Sequence, residues 1–243
     1  MAAEREHGLI LDLAWGDTGW GDEFVRGLAL TVQISMAGYA LGLGLGMVGA
    51  WAKVSTNPIL VRLGDFYTTI VRALPELLLI LLLYYAGTSA LVKVLVMAGL
   101  ASEDLQINPF IAAVASLGLI YGAYLTDVLR GGIEAIPRGQ IEAARACGMR
   151  PWLRFRRIIF PQMIRFAVPG LGNQWLNITK DSSLVSVIGA YELLSAGRSA
   201  ATSTKEYVFY YSVTGLMFLT LTVASMFLLS RIERRANRGV RQI

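Results

Sequence analysis

Apolar residues fall into long blocks along this chain, and polar residues gather between the blocks. Five of the blocks are long enough for an α-helix to cross the hydrocarbon core of a bilayer, which takes about 20 residues. The predicted spans run over about 24–51, 66–86, 109–129, 158–178 and 206–229. No fixed-period repeat and no low-complexity linker divides the chain. The pattern therefore predicts an all-α integral membrane protein with a single transmembrane domain over residues 1–243.

Glycines recur at every fourth residue in part of the first predicted span. Gly38, Gly42 and Gly46 form a small-residue stripe of the kind that lets another helix approach closely. Gly44, Gly46 and Gly49 also match the GxGxxG pattern of dinucleotide-binding proteins. We reject that match, because it lies inside an apolar block with no strand before it and no acidic residue at the required distance. The stripe is interpreted as a helix-packing surface.

Charged residues lie inside the second predicted span. Arg72 and Glu76 belong to an otherwise mainly apolar block, where a charge costs about 2.5 to 3.5 kcal/mol on the insertion scale. Pro75 is expected to kink this helix and to free backbone carbonyls. Because the two charges are four residues apart, they are expected to share one helix face. Two interpretations stay open: an internal ion pair that sets helix packing, and part of a polar pathway.

The fourth apolar block is predicted to be a poor straight helix. It contains Pro161, Pro169, Gly170 and Gly172, and it runs into the polar sequence Lys-Asp-Ser-Ser at 180–183. Transporters commonly build a solute site where an interrupted span exposes backbone groups beside polar side chains. The solute-pathway candidates are the polar residues of the second and fourth blocks: Arg72, Glu76, Asn173, Lys180, Asp181, Ser182 and Ser183.

These candidates have the chemistry that an amino acid requires. The solute carboxylate needs a cation, which Arg72 or Lys180 could supply, and the ammonium group needs a carboxylate, which Asp181 or Glu76 could supply. The alternative is structural: the same groups satisfy one another at helix breaks and never touch a solute.

Composition and charge distribution support a membrane protein and predict its orientation. Of the 243 residues, 55% are hydrophobic and 16% are charged, against roughly 25% charged residues in soluble domains. The net charge of +5 does not indicate nucleic-acid binding, because 15 of the 22 basic residues are expected on one membrane face. The positive-inside tendency puts that face in the cytoplasm and the amino terminus outside. The 87–108 segment is then an external loop, with a short surface helix over about 91–100.

Several chemical classes are disfavoured by what the sequence lacks. Cys147 is the only cysteine and His7 the only histidine, so neither an internal disulfide nor a Cys/His metal cluster is expected. The sequence contains no GxxxxGK[ST] phosphate loop, no GxSxG elbow and no HExxH motif. The chain is not expected to be an enzyme, and energy for uphill transport must come from a partner or an ion gradient.

The longest strongly charged segment between two apolar blocks runs over about 137–161. Ile141, Ala144 and Ala146 lie near helical spacing with polar residues between them. This pattern predicts a short amphipathic helix that ends at Gly148, a residue suited to the left-handed conformation that closes helices. Such a helix lies outside the bilayer and could dock into a groove on a partner and pass motion to the spans.

Six residues of this segment stand at the spacing of the EAA loop of ABC importers: Glu142, Ala143, Ala144, Gly148, Ile158 and Pro161. The sequences at 66–76 and 180–186 are also similar to segments of the polar amino-acid and opine branch. Over nearly its whole length the chain therefore resembles the permease subunits of bacterial ABC importers, in the branch of the histidine, arginine, octopine and nopaline permeases. Phe160 departs from the leucine that is commoner before Pro161, but it preserves bulk.

The resemblance implies a type I importer permease fold with five transmembrane helices in the bacterial inner membrane, amino terminus outside and carboxyl terminus cytoplasmic. It implies a second, homologous but different permease chain, two ATP-binding subunits that hold ATP and Mg²⁺, a periplasmic solute-binding protein and surrounding membrane lipid. The chain itself would hold no cofactor. The solute would be a polar amino acid, with basic amino acids or opines favoured, and which permease contacts it stays open. The residues placed against the ATP-binding subunits are Glu142, Ala143, Ala144, Arg145, Gly148 and Arg150, with the two arginines at the rim.

Two alternative functions are weighed against this one. The first is a secondary transporter for amino acids, driven by an ion gradient, which would work without an ATPase. The second is a membrane scaffold that does not transport, for which replacement of Arg72, Glu76 or Asp181 would leave uptake intact.

Overall fold

A computed structural model describes residues 14–16, 19–102 and 104–236, and these are helical over most of their length. Within these residues, ten α-helices run in chain order: α1 (Gly21–Lys53), α2 (Pro58–Ala73), α3 (Glu76–Leu82), α4 (Thr88–Met97), α5 (Pro109–Glu134), α6 (Arg138–Ala146), α7 (Pro151–Arg154), α8 (Phe160–Asp181), α9 (Leu193–Thr204) and α10 (Tyr207–Ala236). Two π-helical turns, Leu83–Gly87 and Phe155–Ile159, join α3 to α4 and α7 to α8. A 3₁₀-helix, Ser182–Ile188, follows α8. The prediction of an all-α protein is confirmed for the described residues.

Asn-Pro pairs start two of the helices. The Asn57 side chain accepts a hydrogen bond from the Ile59 backbone N–H at 2.9 Å, and Asn108 accepts one from Phe110 at 2.8 Å. In each case proline takes the first helical position, where its missing N–H leaves no hydrogen bond unmade. The sequence thus fixes where α2 and α5 begin.

The glycine stripe of the first span packs as predicted. Gly42 lies against α5 so closely that a Cβ added there would be 3.2 Å from the Gly118 carbonyl oxygen and 3.2 Å from the Gly122 nitrogen. A Cβ at Gly46 would be 2.8 Å from the Leu125 Cβ. Larger residues at these positions would push α1 and α5 apart. The prediction of a helix-packing surface is therefore confirmed.

The buried core of the described part of the chain consists of three apolar clusters that follow one another along α1. Phe24, Ile34 and Ala50 each belong to a different cluster, and they lie in that order from the first turn of α1 to its last. The middle cluster joins α1 to α3, α5 and the end of α8. The last cluster, around Ala50, also contains Ile136 just before α6. Helix α6 is thereby attached to one end of the helical core.

The second predicted span, over 66–86, does not correspond to one helix. The chain leaves helical geometry at Leu74 and Pro75, which are both extended, with ψ angles of 147° and 135°. The residue before a proline avoids helical geometry because the proline ring crowds its backbone. Pro75 therefore breaks the helix that it was expected to kink.

The external loop also begins later than predicted. The helical run continues from Glu76 to Met97, which places the expected surface helix over 91–100 largely at the end of this run. The hydroxyl groups of Thr88 and Ser89 donate to the carbonyls of Tyr84 and Tyr85, the latter at 2.7 Å, and so support the helix across the π-helical turn. Gly87, which was expected to begin the loop, lies inside that turn.

The fourth predicted span is less interrupted than expected. Helix α8 is continuous through Pro169, and Pro161 lies in its first turn. The interruption comes after Asp181, where the 3₁₀-helix leads to Gly189 at a φ of 82°. The prediction of broken geometry at Pro169 is wrong, whereas a change of helix type at the polar 180–183 sequence is present.

Four of the described helical runs are long and apolar enough to cross a membrane: Gly21–Lys53, Glu76–Met97, Pro109–Glu134 and Tyr207–Ala236. Helix α8 has 22 residues but is too polar to be among them. A fifth span over 158–178 stays a prediction. Residues 1–13, 17–18, 103 and 237–243 lie outside the described part of the chain.

Candidate functional site

Helix α6 projects from the helical core and presents most of its residues to solvent. Its carboxyl end forms a Schellman motif, in which the Gly148 N–H donates to the Arg145 carbonyl at 2.9 Å and the Met149 N–H to the Ala144 carbonyl at 3.1 Å. Gly148 has a φ of 72°, in the left-handed region that glycine adopts without strain. The predicted helix and its glycine stop are therefore present, with the last helical residue at Ala146.

The two faces of α6 differ in what they contact. Ala144 is only 5% exposed, and Ile141 packs on the cluster that contains Ile136 and Met163. The Gln162 side-chain amide also donates to the Gln140 side-chain oxygen at 2.6 Å. The remaining predicted partner-contact residues are exposed: Glu142, Ala143, Arg145, Gly148 and Arg150. Ala144 thus belongs to the face that anchors α6, and five of the six predicted residues are available to a partner.

A second cluster forms where α3, α5 and the end of α8 meet, and we call it the tyrosine–carboxylate cluster. It consists of Tyr121, Tyr124, Asp181 and Glu76. The Tyr121 hydroxyl donates to Asp181 Oδ2 at 2.6 Å, and the Tyr124 hydroxyl donates to Glu76 Oε1 at 2.8 Å. The two rings lie side by side, with centroids 5.7 Å apart. Two of the predicted pathway residues are therefore brought together through a pair of tyrosines.

The tyrosines supply hydrogen bonds to two partly buried carboxylates at the edge of the helical core. Tyr121 is 2% exposed, and its hydroxyl supplies Asp181 with a hydrogen bond from the buried side. Hydrogen bonds to a charged acceptor contribute more than neutral ones, roughly 1.5 to 3 kcal/mol each. Sequence analysis missed both residues. Tyr121 and Tyr124 are three residues apart in an apolar helix, and this spacing puts their hydroxyl groups close together on the helix surface. That spacing is the signal that could have identified them.

Arg72 does not pair with Glu76, contrary to the expectation that they share a helix face. The break at Leu74 and Pro75 separates them, so the spacing of four no longer applies. Arg72 instead forms an ion pair with Asp127 of α5, and its guanidinium carbon lies 5.6 Å from the centre of the Tyr124 ring. Arg72 thus flanks the tyrosine–carboxylate cluster without neutralising Glu76.

Asp127 also forms an ion pair with Lys53, whose side chain is nearly buried. The Lys53 ammonium lies 2.8 Å from Asp127 Oδ1, 3.1 Å from Asp65 and 2.7 Å from the Thr68 hydroxyl. These contacts tie the end of α1 to α2 and α5. The charges that the sequence places in and beside the spans are therefore paired in this region, as the cost of an isolated charge requires.

The other predicted pathway residues have different surroundings. Ser182 is buried and donates to the Thr179 carbonyl at 2.8 Å, and Ser183 donates to the Lys180 carbonyl at 2.8 Å. These serines therefore satisfy backbone groups at the end of α8. Asn173 and Lys180 are exposed, seven residues apart on one face of α8, with the exposed Asn177 between them. This polar row lies apart from the buried surface of the helix.

The sequence matches the family described as binding-protein-dependent transport system inner membrane component over residues 42–238. The chain belongs to this family. The nopaline transport system permease protein NocQ of Agrobacterium fabrum is 43% identical over 94% of this chain and 97% of its own length. The histidine/lysine/arginine/ornithine transport system permease protein HisQ of Salmonella typhimurium is 38% identical over 92% of this chain and 97% of its own length.

A solved structure supports the same assignment. The crystal structure of an amino acid ABC transporter with histidines superposes on this permease with a TM-score of 0.76 and 30% identity, covering 89% of this chain and 95% of that one. This permease therefore has the type I ABC importer permease fold and is an inner-membrane component. As in its relatives, its task is translocation and not catalysis. The comparisons give no support to an ion-gradient transporter or a scaffold.

Proposed function

We propose that this permease moves a basic amino acid or an opine across the inner membrane. The partners would be a second homologous permease of different sequence, two ATP-binding subunits that hold ATP and Mg²⁺, and a periplasmic binding protein. Two kinds of finding support the proposal: the names of the relatives, which are nopaline and basic amino-acid permeases, and the tyrosine–carboxylate cluster beside the end of α8.

The coupling part of the proposal assigns the exposed face of α6 to an ATP-binding subunit. Helix α6 is attached by Ile141 to a cluster that contains residues of α1, α5 and α8, and Ala144 on the same helix is buried. A force applied to its exposed face would be transmitted to those helices, because packed interiors move as units. In the proposed orientation this face lies in the cytoplasm, with the carboxyl terminus, and the amino terminus lies outside.

The solute part of the proposal assigns recognition of a cation to Asp181 and Glu76. A basic amino acid carries one more positive than negative charge, so a pathway with two carboxylates suits it. Tyr121 and Tyr124 each donate one hydrogen bond to one oxygen of a carboxylate. Among the described hydrogen bonds, the second oxygen of each carboxylate accepts none, so it is free to bind the solute. Lys180 and Asn173, on the exposed face of α8, would meet the solute carboxylate. Arg72, Ser182 and Ser183 would shape the pathway without contacting the solute.

Transport by vesicles that contain the complete complex tests this proposal. The measurement is arginine uptake and arginine-stimulated ATP hydrolysis for the unaltered complex and for Asp181→Asn, which keeps the size of the side chain and removes the charge. We expect both activities to fall at least tenfold, since a hydrogen-bonded ion pair contributes roughly 1.5 to 3 kcal/mol. Asp104→Asn is the matched control, because Asp104 is exposed and lies in the loop before α5.

The outcomes separate the two parts of the proposal. Equal arginine uptake by Asp181→Asn and the unaltered complex would remove Asp181 from the solute pathway. If Asp181→Asn loses uptake while its rate of ATP hydrolysis in the absence of solute is unchanged, the defect lies in solute recognition and not in assembly of the complex. If the unaltered complex imports only neutral amino acids, the basic substrate class is wrong even though the chain is a permease.

A further inference from the structure

An apolar groove of about 180 Å³ opens at the end of the helical core that carries α6. Its wall includes Met47, Trp51, Ile133, Phe155, Phe160 and Met163. Trp51 is 63% exposed, and Met47, Phe155 and Phe160 are also exposed. Neither the coupling face of α6 nor the tyrosine–carboxylate cluster uses these residues.

Three arginines, which we call the basic rim, lie in or next to the turn that lines part of this groove. The π-helical turn Phe155–Ile159 contributes Phe155 and Ile159 to the wall, and Arg156 and Arg157 of the same turn are exposed. Arg154 immediately precedes the turn, and its Nε is covered without a hydrogen-bond partner among the described residues. Within the described part of the chain, none of the three arginines has an acidic partner. A covered donor without an acceptor is costly, so the rim favours an anion.

The position of the groove favours a lipid as the source of that anion. Met47 and Trp51 belong to a helix that is apolar enough to cross a membrane, and Phe155, between Arg154 and Arg156 in sequence, lines the same groove. Trp152, which is 69% exposed, stacks on Phe155 with ring centroids 5.8 Å apart. Tryptophan collects at the level of lipid headgroups, and basic pockets beside apolar helices bind anionic headgroups. An acidic surface of an ATP-binding subunit could meet the arginines but would not fill an apolar groove within the span.

We propose that this groove and its basic rim bind one anionic phospholipid. An acyl chain lies in the groove between α1, α5 and the Phe155–Ile159 turn, and the headgroup phosphate lies at Arg154, Arg156 and Arg157. The site would connect the composition of the membrane to the segment between α6 and α8. It does not depend on which solute the permease carries.

Quenching of Trp51 fluorescence by brominated phospholipid tests the site. The full-length permease, with its four other tryptophans replaced by phenylalanine, is placed in phosphatidylcholine nanodiscs that contain brominated phosphatidylglycerol or brominated phosphatidylcholine. We expect phosphatidylglycerol to quench at the lower mole fraction. Arg156→Gln with Arg157→Gln should reduce this preference roughly tenfold or more, given the attraction of each basic side chain to an anionic lipid. Arg231→Gln with Arg234→Gln is the control, since it removes two exposed arginines from α10.

Native mass spectrometry of the unaltered complex provides a second measurement that needs no tryptophan replacement. We expect phosphatidylglycerol to remain bound and to be lost with Arg156→Gln and Arg157→Gln. Equal quenching by the two lipids, or an unchanged preference in the double variant, would overturn the proposal. The same holds if the double variant loses the ATP-binding subunits while it keeps its lipid preference, because the rim would then serve a protein partner.

Discussion

Gly148 allows the role of α6 to be tested by a graded series at one position. Its φ of 72° suits glycine, is tolerated by asparagine, is unfavourable for alanine and is worst for a β-branched residue. The ideal Cβ position at Gly148 has no atom within 4 Å outside the local backbone, so a side chain there meets no steric clash. Gly148→Asn, Gly148→Ala and Gly148→Val therefore differ mainly in backbone strain.

The expected magnitude follows from the Schellman motif. Keeping the left-handed conformation costs a residue other than glycine about 1–2 kcal/mol. Giving it up loses the bonds from Gly148 to Arg145 and from Met149 to Ala144, each about 0.5–1.5 kcal/mol. The two costs are similar, so valine at this position leaves the end of α6 partly unwound. A cost of one to two kcal/mol corresponds to a factor of about 5 to 30 in the population of the ordered helix end.

The assay is solute-stimulated ATP hydrolysis by vesicles that contain the permease, its partner subunits and the binding protein. We expect the stimulation to decrease in the order glycine, asparagine, alanine, valine. Insertion of the permease into the membrane should be unchanged, because α6 lies outside the four apolar helices. Gly215→Val is the matched control, since Gly215 is exposed on α10, has ordinary helical geometry and has no atom near its ideal Cβ position.

Equal stimulation for all four residues at position 148 would refute the reasoning, because the ordered end of α6 would then be irrelevant to coupling. A loss of stimulation in Gly215→Val as large as in Gly148→Val would also count against it. In that case the substitution itself, and not the left-handed conformation, would be responsible.

Two further predictions concern orientation and pH. Cys147 is exposed, so a membrane-impermeant maleimide should label it in inverted vesicles and not in intact cells. The control is Asp104→Cys in a Cys147→Ser background, which should be labelled in intact cells and not in inverted vesicles. Labelling of Cys147 in intact cells would exclude the coupling role. Glu192 caps α9 through the N–H groups of Leu194 and Ser195, at 2.7 and 2.8 Å, yet burial raises the pKa of its carboxyl from an ordinary value near 4.5 to about 7. The folded state then binds more protons than the unfolded state between these pH values, so stability should fall as the pH rises from 5 to 7.5. Thermal unfolding should show this slope for the unaltered permease and a smaller one for Glu192→Gln, and equal slopes would contradict the assignment.

Features that depend on local sequence could be predicted well. The Gly38, Gly42 and Gly46 stripe needs only helical periodicity to define a packing surface, and α5 occupies it. Gly148 needs only its place after an amphipathic segment to be identified as a helix stop, and its φ is positive. In both cases the property belongs to a few residues close together in the sequence.

Features that depend on tertiary contacts could not be predicted in the same way. The expected Arg72 and Glu76 pair relied on a helix that continues through Pro75, and the extended Leu74 removes that condition. The actual partners, Asp127 for Arg72 and Tyr124 for Glu76, are about 50 residues away in sequence. Nothing in a periodic pattern specifies such a pairing, because it depends on how α2, α3 and α5 are placed beside one another.

The connections of α6 determine which contacts a coupling motion would disturb. Helix α5 leads into α6 and α8 follows it, and these two helices carry the partners of the Tyr121–Asp181 hydrogen bond. Helix α1 is held to α5 by the glycine contacts, so a displacement of α6 would carry α1, α5 and α8 together. Glu76 lies on α3, whose Leu79 and Ile80 belong to the same buried cluster as Tyr121 and Ile178, so α3 also packs against this group. A displacement that starts at α6 would therefore reach both carboxylates, Asp181 through α8 and Glu76 through the packing of α3 on α5.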